Sequence, residues 1–168
     1  MALGELFSVL PSPGVDRVPL LVATVLGTGL LEPLRAGLAV AISFPLIYGA
    51  NRAGHRLTGA AGVAGLAILG WWAAENWANA TGTSDDRRIV VDEVAGVLAM
   101  AVVAPRLRVV PLALLATAFL AIDRIKPWPL SELERLSGGV GVMADDLAVG
   151  VAIGLAVTAL SQMLRPRG

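Results

Sequence analysis

Asp92-Glu93, Asp123 and Asp145-Asp146 all stand at the edges of apolar runs. Acid groups at the mouths of membrane helices are costly and rarely idle. A carboxylate cluster without histidine or cysteine is a hard-oxygen site. It suits Mg²⁺, which takes one or two carboxylates, several waters and the phosphate oxygens of a substrate. Such a metal turns bound water into a nucleophile and stabilises a transferring phosphoryl group. Arg124 and Lys126, with Arg87 and Arg88, are cations close to the acids in sequence and able to hold phosphate. Gly138-Gly139-Val140-Gly141 is expected as a loop that turns backbone N–H groups toward an anion. The expected site therefore has Asp92, Glu93, Asp123, Asp145 and Asp146 as metal ligands. Asp92, Glu93, Asp123 and Asp146 carry the chemistry, and Arg124, Lys126, Gly138 and Gly139 hold the phosphate.

Each residue also has a plainer reading. Asp145-Asp146 at a helix start would cap it and complement its dipole. Asp123 would pair with Arg124 or Lys126. Asp85-Asp86 with Arg87-Arg88 reads as a solvated loop. His55 lies in a basic loop on the opposite face. The tryptophans read as interface anchors and the glycine faces as packing, while the role of Glu75 stays open. Only joint convergence of the acids lifts the functional reading above these.

The elements that must bring the acids together are apolar. The chain has 168 residues, 56% hydrophobic and 15% charged, which points to one integral membrane domain over residues 1–168. Its net charge of zero gives no basic field for nucleic acid. There is no cysteine and one histidine, which excludes disulfides, thiolate metal sites, a cysteine nucleophile and any two-histidine mechanism. The start of the chain does not read as a signal peptide and is expected as an interfacial lead-in broken by Pro11, Pro13 and Gly14.

The expected fold is all-α, a polytopic bundle with about five spans or partial spans. A short helix is placed near 18–30 and a bend at 31–35. Spans follow near 36–50, 57–80, 89–104, 109–125 and 143–164. Pro45 is expected to kink one of them. Gly59, Gly62 and Gly65, and again Gly150 and Gly154, are spaced for close helix packing. Alternating connections put the 31–35 bend, the 81–88 loop and the 126–142 loop on one face. All five acids fall at helix ends on that face.

The same residues carry a resemblance. Asp85 with Ile89-Val90-Val91-Asp92-Glu93-Val94-Ala95-Gly96 resembles the D-x-x-x-I-V-x-D-E-x-x-G block of the phosphatidylglycerophosphatase A family. Phe119, Asp123, Lys126, Pro127, Trp128 and Pro129 resemble its F-R-x-x-D-x-x-K-P-x-P block. Gly138 to Asp146, with Gly150, resembles its G-G-x-G-I-M-x-D-D block. Gly27-Thr28-Gly29 and Pro45 match an N-terminal glycine motif and a following proline. The resemblance implies an Mg²⁺-dependent phosphatase of the bacterial cytoplasmic membrane. It would convert phosphatidylglycerol phosphate to phosphatidylglycerol, with its site on the cytoplasmic face. The chain departs from the pattern at three places. The family's P-G-T-x-G-S run falls on Arg35 to Val40, the arginine of the F-R block is Leu120, and an aspartate position is Glu134. Altered headgroup choice, an inactive membrane subunit and a small transporter are the other readings. The motifs of CDP-alcohol phosphatidyltransferases, type-2 phosphatidate phosphatases and haloacid-dehalogenase phosphatases are not matched.

Overall fold

The computed structural model describes residues 8–9, 14–83, 86–125 and 138–164. The protein is an all-α bundle of α1 (Arg17–Ala23), α2 (Arg35–Ala53), α3 (Arg56–Thr81), α4 (Val91–Val103), α5 (Val109–Ile125) and α6 (Gly138–Met163). A two-residue strand, β1 (Ser8–Val9), pairs antiparallel with β2 (Leu31–Glu32).

Several boundaries follow from local chemistry. The expected helix near 18–30 stops at Ala23. Thr24 takes the Gly27 N–H on its hydroxyl oxygen and gives its own proton to the Leu20 carbonyl. The chain then turns through left-handed Val25, Leu26 and Gly27 into a 3-10 turn at Thr28–Leu30. Left-handed Gly54 and Gly82 end α2 and α3, where a Cβ would add strain. Pro45 lies inside α2, which continues to Ala53. The buried Asn51 side chain donates to the Ala101 and Pro105 carbonyls and accepts the Leu107 N–H. It thereby fastens the end of α2 to the α4–α5 turn.

Helix α4 is the hub, in contact with α2, α3, α5 and α6. It has 13 residues, which span about 20 Å against a hydrocarbon layer of about 30 Å. Its own Val97 and Met100 are fully buried, as are Leu112, Phe119 and Val149 on the neighbouring α5 and α6. Helices α3 and α6 have 26 residues each and are long and apolar enough to cross a membrane. Leu57, Ile68, Leu69, Trp71, Trp72, Leu114 and Leu155 face outward. Exposed apolar surface on this scale suits contact with lipid.

The tightest joint is between α4 and α6. A Cβ on Gly150 would stand 2.0 Å from the Gly96 carbonyl oxygen, and one on Gly154 would stand 2.9 Å from the Met100 carbonyl. Small residues here let backbone meet backbone. The other expected glycine face is only partly used. A Cβ on Gly59 would meet Val102, whereas Gly62 and Gly65 face open space. Trp77 also departs from the interface role. It is fully buried, with the Arg88 guanidinium 5.2 Å from its ring centre. The aromatic face and the cation hold each other, so Trp77 serves as core.

Candidate active site

The site is assembled where the start of α4, the end of α5 and the second to third turns of α6 meet. Asp92 and Glu93 lie in the first turn of α4, which begins where the Val90 N–H bonds the Ala23 carbonyl. Asp123 lies near the end of α5. Asp145 and Asp146 come from α6 and are 4% and 2% exposed.

The last pair corrects an expectation. Helix α6 starts at Gly138, not near residue 143, so Gly138 to Gly141 form its first turn rather than a loop. The reason is Glu75 on α3, whose Oε2 accepts the Gly139 N–H at 3.0 Å. A carboxylate at a helix N-terminus satisfies a free amide and complements the dipole. Gly138 is left-handed and its Cβ position abuts Glu75, while that of Gly139 abuts the Trp71 backbone. The Gly139 amide is thus engaged with α3. Asp145 and Asp146, roughly two turns further in, are inside the helix and do not cap it. Glu75, whose role was open, anchors the start of α6. Its partner lies 64 residues away in sequence, which no local spacing signals.

The five carboxylates come together in two groups. Oxygens of Asp92, Glu93 and Asp146 lie within 4.8 Å of one another, and so do oxygens of Asp123, Asp145 and Asp146. Asp146 belongs to both. In each acidic pair the first residue accepts the N–H of the second, Glu93 on Asp92 at 3.0 Å and Asp146 on Asp145 at 2.9 Å. These bonds fix two side chains and leave oxygens turned inward. Glu93 Oε2 and Asp146 Oδ2 are buried and accept no hydrogen bond among the described residues. Two unit negative charges at such a separation repel by about 3 kcal/mol at an effective dielectric of 20. All-oxygen donors, mutual repulsion and unused buried oxygens together fit a hard divalent cation.

A cavity of about 580 Å³ opens beside this cluster, between the start of α2 and the end of α5. Glu93 and Asp123 form its acidic wall, with Arg35, Arg124, Gly37 and Leu120 among the others. Arg35 is half-buried and bonded to Glu32, which Arg87 also approaches at 3.5 Å. The 31–35 bend and the 86–88 loop are thereby tied together at this rim. Arg124 is exposed at the cavity. Lys126, the Pro127-Trp128-Pro129 stop, Asp85 and Glu134 lie outside the described residues. Asp86 is half-buried and paired rather than a freely solvated charge. It bonds Arg88 through both carboxylate oxygens, at 2.9 and 2.6 Å. Burial alone would raise the Asp86 carboxyl, but the bonds and charge of Arg88 outweigh it and hold it below the usual carboxylate range.

Comparison with known proteins agrees with the resemblance seen in the motifs. The family model described as phosphatidylglycerophosphatase A matches residues 21–161. A Bacteroides thetaiotaomicron protein named a phosphatidylinositol-3-phosphatase is 33% identical over 141 residues, covering 80% of this chain and 87% of that one. No solved structure matches significantly. The match takes in all three acidic blocks, and the chain belongs to the phosphatidylglycerophosphatase A family of lipid phosphatases.

Proposed function

We propose that the protein hydrolyses the phosphate monoester of phosphatidylglycerol phosphate, releasing phosphatidylglycerol and inorganic phosphate. The reaction takes place at the membrane surface, at the five-carboxylate cluster, with Mg²⁺ as cofactor. The observation that carries this reading is the pair of carboxylate triads sharing Asp146 beside a cavity with two arginines. Asp92, Glu93 and Asp146 would hold one cation, and Asp123, Asp145 and Asp146 a second. When bound, the metal offsets the repulsion among the carboxylates and supplies the positive charge and acidified water that phosphoryl transfer needs.

The residues of the chain divide the remaining work. Arg35 and Arg124 face the cavity and suit the non-bridging phosphate oxygens. Lys126, two residues beyond Arg124 in sequence, is proposed to reach the same group. Glu93 lines the cavity and has an unengaged oxygen, which places it to accept a proton from the attacking water. Water oxygen bonds to phosphorus, the bond from phosphorus to the glycerol oxygen breaks, and that oxygen takes up the proton held by Glu93 and leaves as the hydroxyl of phosphatidylglycerol. The chain has no cysteine and one histidine, His55, at the far end of α2, which leaves an aspartate as the rival nucleophile; the carboxylates are better used on metal, so direct attack by water without a phosphoenzyme is the proposed route. The bacterial cytoplasmic membrane and its cytoplasmic face are the proposed setting.

A second reading keeps the chemistry and changes the headgroup. The similar Bacteroides protein is named for a phosphoinositide, and this chain has Leu120 and Arg35 where the family pattern has arginine and proline. Both side chains line the headgroup cavity, so another polyol phosphate is the alternative substrate.

The test is phosphate release from purified protein on several lipid phosphates, with Mg²⁺ and with EDTA. A single-turnover run in ¹⁸O-water, trapped with acid, gives the mechanism. Phosphatidylglycerol phosphate is expected to turn over fastest, only with the metal, and with one ¹⁸O in the phosphate. Full activity in EDTA, or a trapped phospho-aspartate, would refute the mechanism.

A further inference from the structure

Gly37 and Leu120 form one edge of the headgroup cavity. The same two residues also line a second cavity of about 440 Å³, which lies between α2 and α5. Its other walls are Val40, Ala41 and Phe44 from α2, and Ala113, Ala116 and Thr117 from α5. The only side-chain hydroxyl among these walls, on Thr117, is already donated to the Ala113 carbonyl. The lining is therefore apolar in effect. Helix α2 starts and α5 ends at the cluster, so residues 37 to 44 lead away from the carboxylates over roughly 10 Å. Gly37, Ala41 and Thr117 are exposed, which leaves the cleft open along its side. A Cβ on Gly37 would meet nothing within 4 Å, so no atom crowds the wall that the two cavities share at this residue.

We infer that the α2–α5 cleft holds one acyl chain of the lipid substrate while its phosphates lie in the arginine-lined cavity. This rests on the reading of the cluster as a lipid-phosphate site. Two adjoining cavities that share Gly37 and Leu120 as walls, one with Arg35 and Arg124 and one apolar, match the two ends of a phospholipid in the right order. The family's threonine falls on Gly37 in this chain, and the absence of a side chain there widens the passage between them. A groove on the other face of α2, lined by Leu46, Leu66 and Leu69, is also apolar but shares no wall with the headgroup cavity.

Ala41→Trp and Ala113→Trp fill the cleft from opposite walls without touching the carboxylates. Each is expected to lower kcat/KM on dioleoyl phosphatidylglycerol phosphate by about tenfold or more, the scale of a lost apolar pocket. Each is expected to leave hydrolysis of water-soluble glycerol 3-phosphate unchanged. Equal loss on both substrates, or no loss on either, overturns the cleft assignment. A second readout needs no turnover. Phosphatidylglycerol with a diazirine midway along one chain is irradiated with the protein in nanodiscs containing EDTA, and the adducts are mapped. Labels on Val40, Phe44, Ala113 or Thr117, lost in Ala41→Trp, support the cleft. Labels confined to Leu46, Leu66 and Leu69, or spread evenly over the outer surface, overturn it. If the wild type hydrolyses no phosphate ester at all, the phosphatase reading fails and the labelling pattern alone decides the cleft.

Discussion

Asp146 serves both carboxylate triads, whereas Asp92 belongs to one and Asp123 to the other. Asp146→Asn should therefore abolish cation binding at both positions, while Asp92→Asn and Asp123→Asn each remove one. Calorimetric titration with Mn²⁺ in detergent checks this, and turnover should fall by about 10²-fold or more in all three. Retained wild-type stoichiometry in Asp146→Asn would separate this residue from metal. Further along, the Asp86–Arg88 pair makes a stability prediction. The Asp86 carboxyl titrates lower in the folded protein, so its contribution is complete above the unfolded value of about 3.9 and is lost as pH falls through the lower folded value. Asp86→Asn should cost about 1 kcal/mol or less near pH 7, since the pair is partly solvated. The gap from wild type in thermal melts should close in acid. The acids were legible because carboxylates at the edges of apolar runs are rare. Glu75 was not, since its role is defined by the Gly139 amide, 64 residues further along the chain.

Helices α4 and α6 cross at Gly96 and Gly150, one turn from the acids each carries. That crossing sets the distance between Asp92-Glu93 and Asp145-Asp146. Gly150→Leu would drive a side chain into the Gly96 backbone and should destabilise by at least about 1–3 kcal/mol, with activity lost as well. Gly62→Ala faces open space inside α3 and should stabilise by about 0.5–1 kcal/mol with activity unchanged. Melting temperature and turnover of the two variants check the contrast. Helix order and most boundaries could be read from Gly, Pro and charge. The start of α6 could not, because glycines read as a loop unless the Glu75 carboxylate that receives their amide is known. The same limit applied to Trp77, whose type suits an interface but whose cation partner places it in the core.

At the scale of the molecule, α4 is shorter than the hydrocarbon layer is thick and is enclosed by its neighbours, while α3 and α6 present long apolar faces. The protein should stay with the membrane pellet in alkaline carbonate and leave it only in detergent. Release by carbonate alone would contradict membrane insertion. Composition pointed to a membrane protein, but not to which helices form the outer faces and which the centre, because that depends on contacts among helices of similar apolarity.

The side opening of the cleft between α2 and α5 has a kinetic meaning. Each methylene moved from hydrocarbon to water costs about 0.8 kcal/mol, so drawing out a chain of about sixteen carbons would cost about 13 kcal/mol. On the proposed cleft assignment, a lipid that slides in laterally would avoid this barrier, and the product would return to the bilayer by the same route. The concentration that governs the rate is then a surface one. Turnover should follow the mole fraction of substrate in the membrane and fall under dilution with inert phosphatidylcholine, even when the amount of substrate per volume of buffer is held constant.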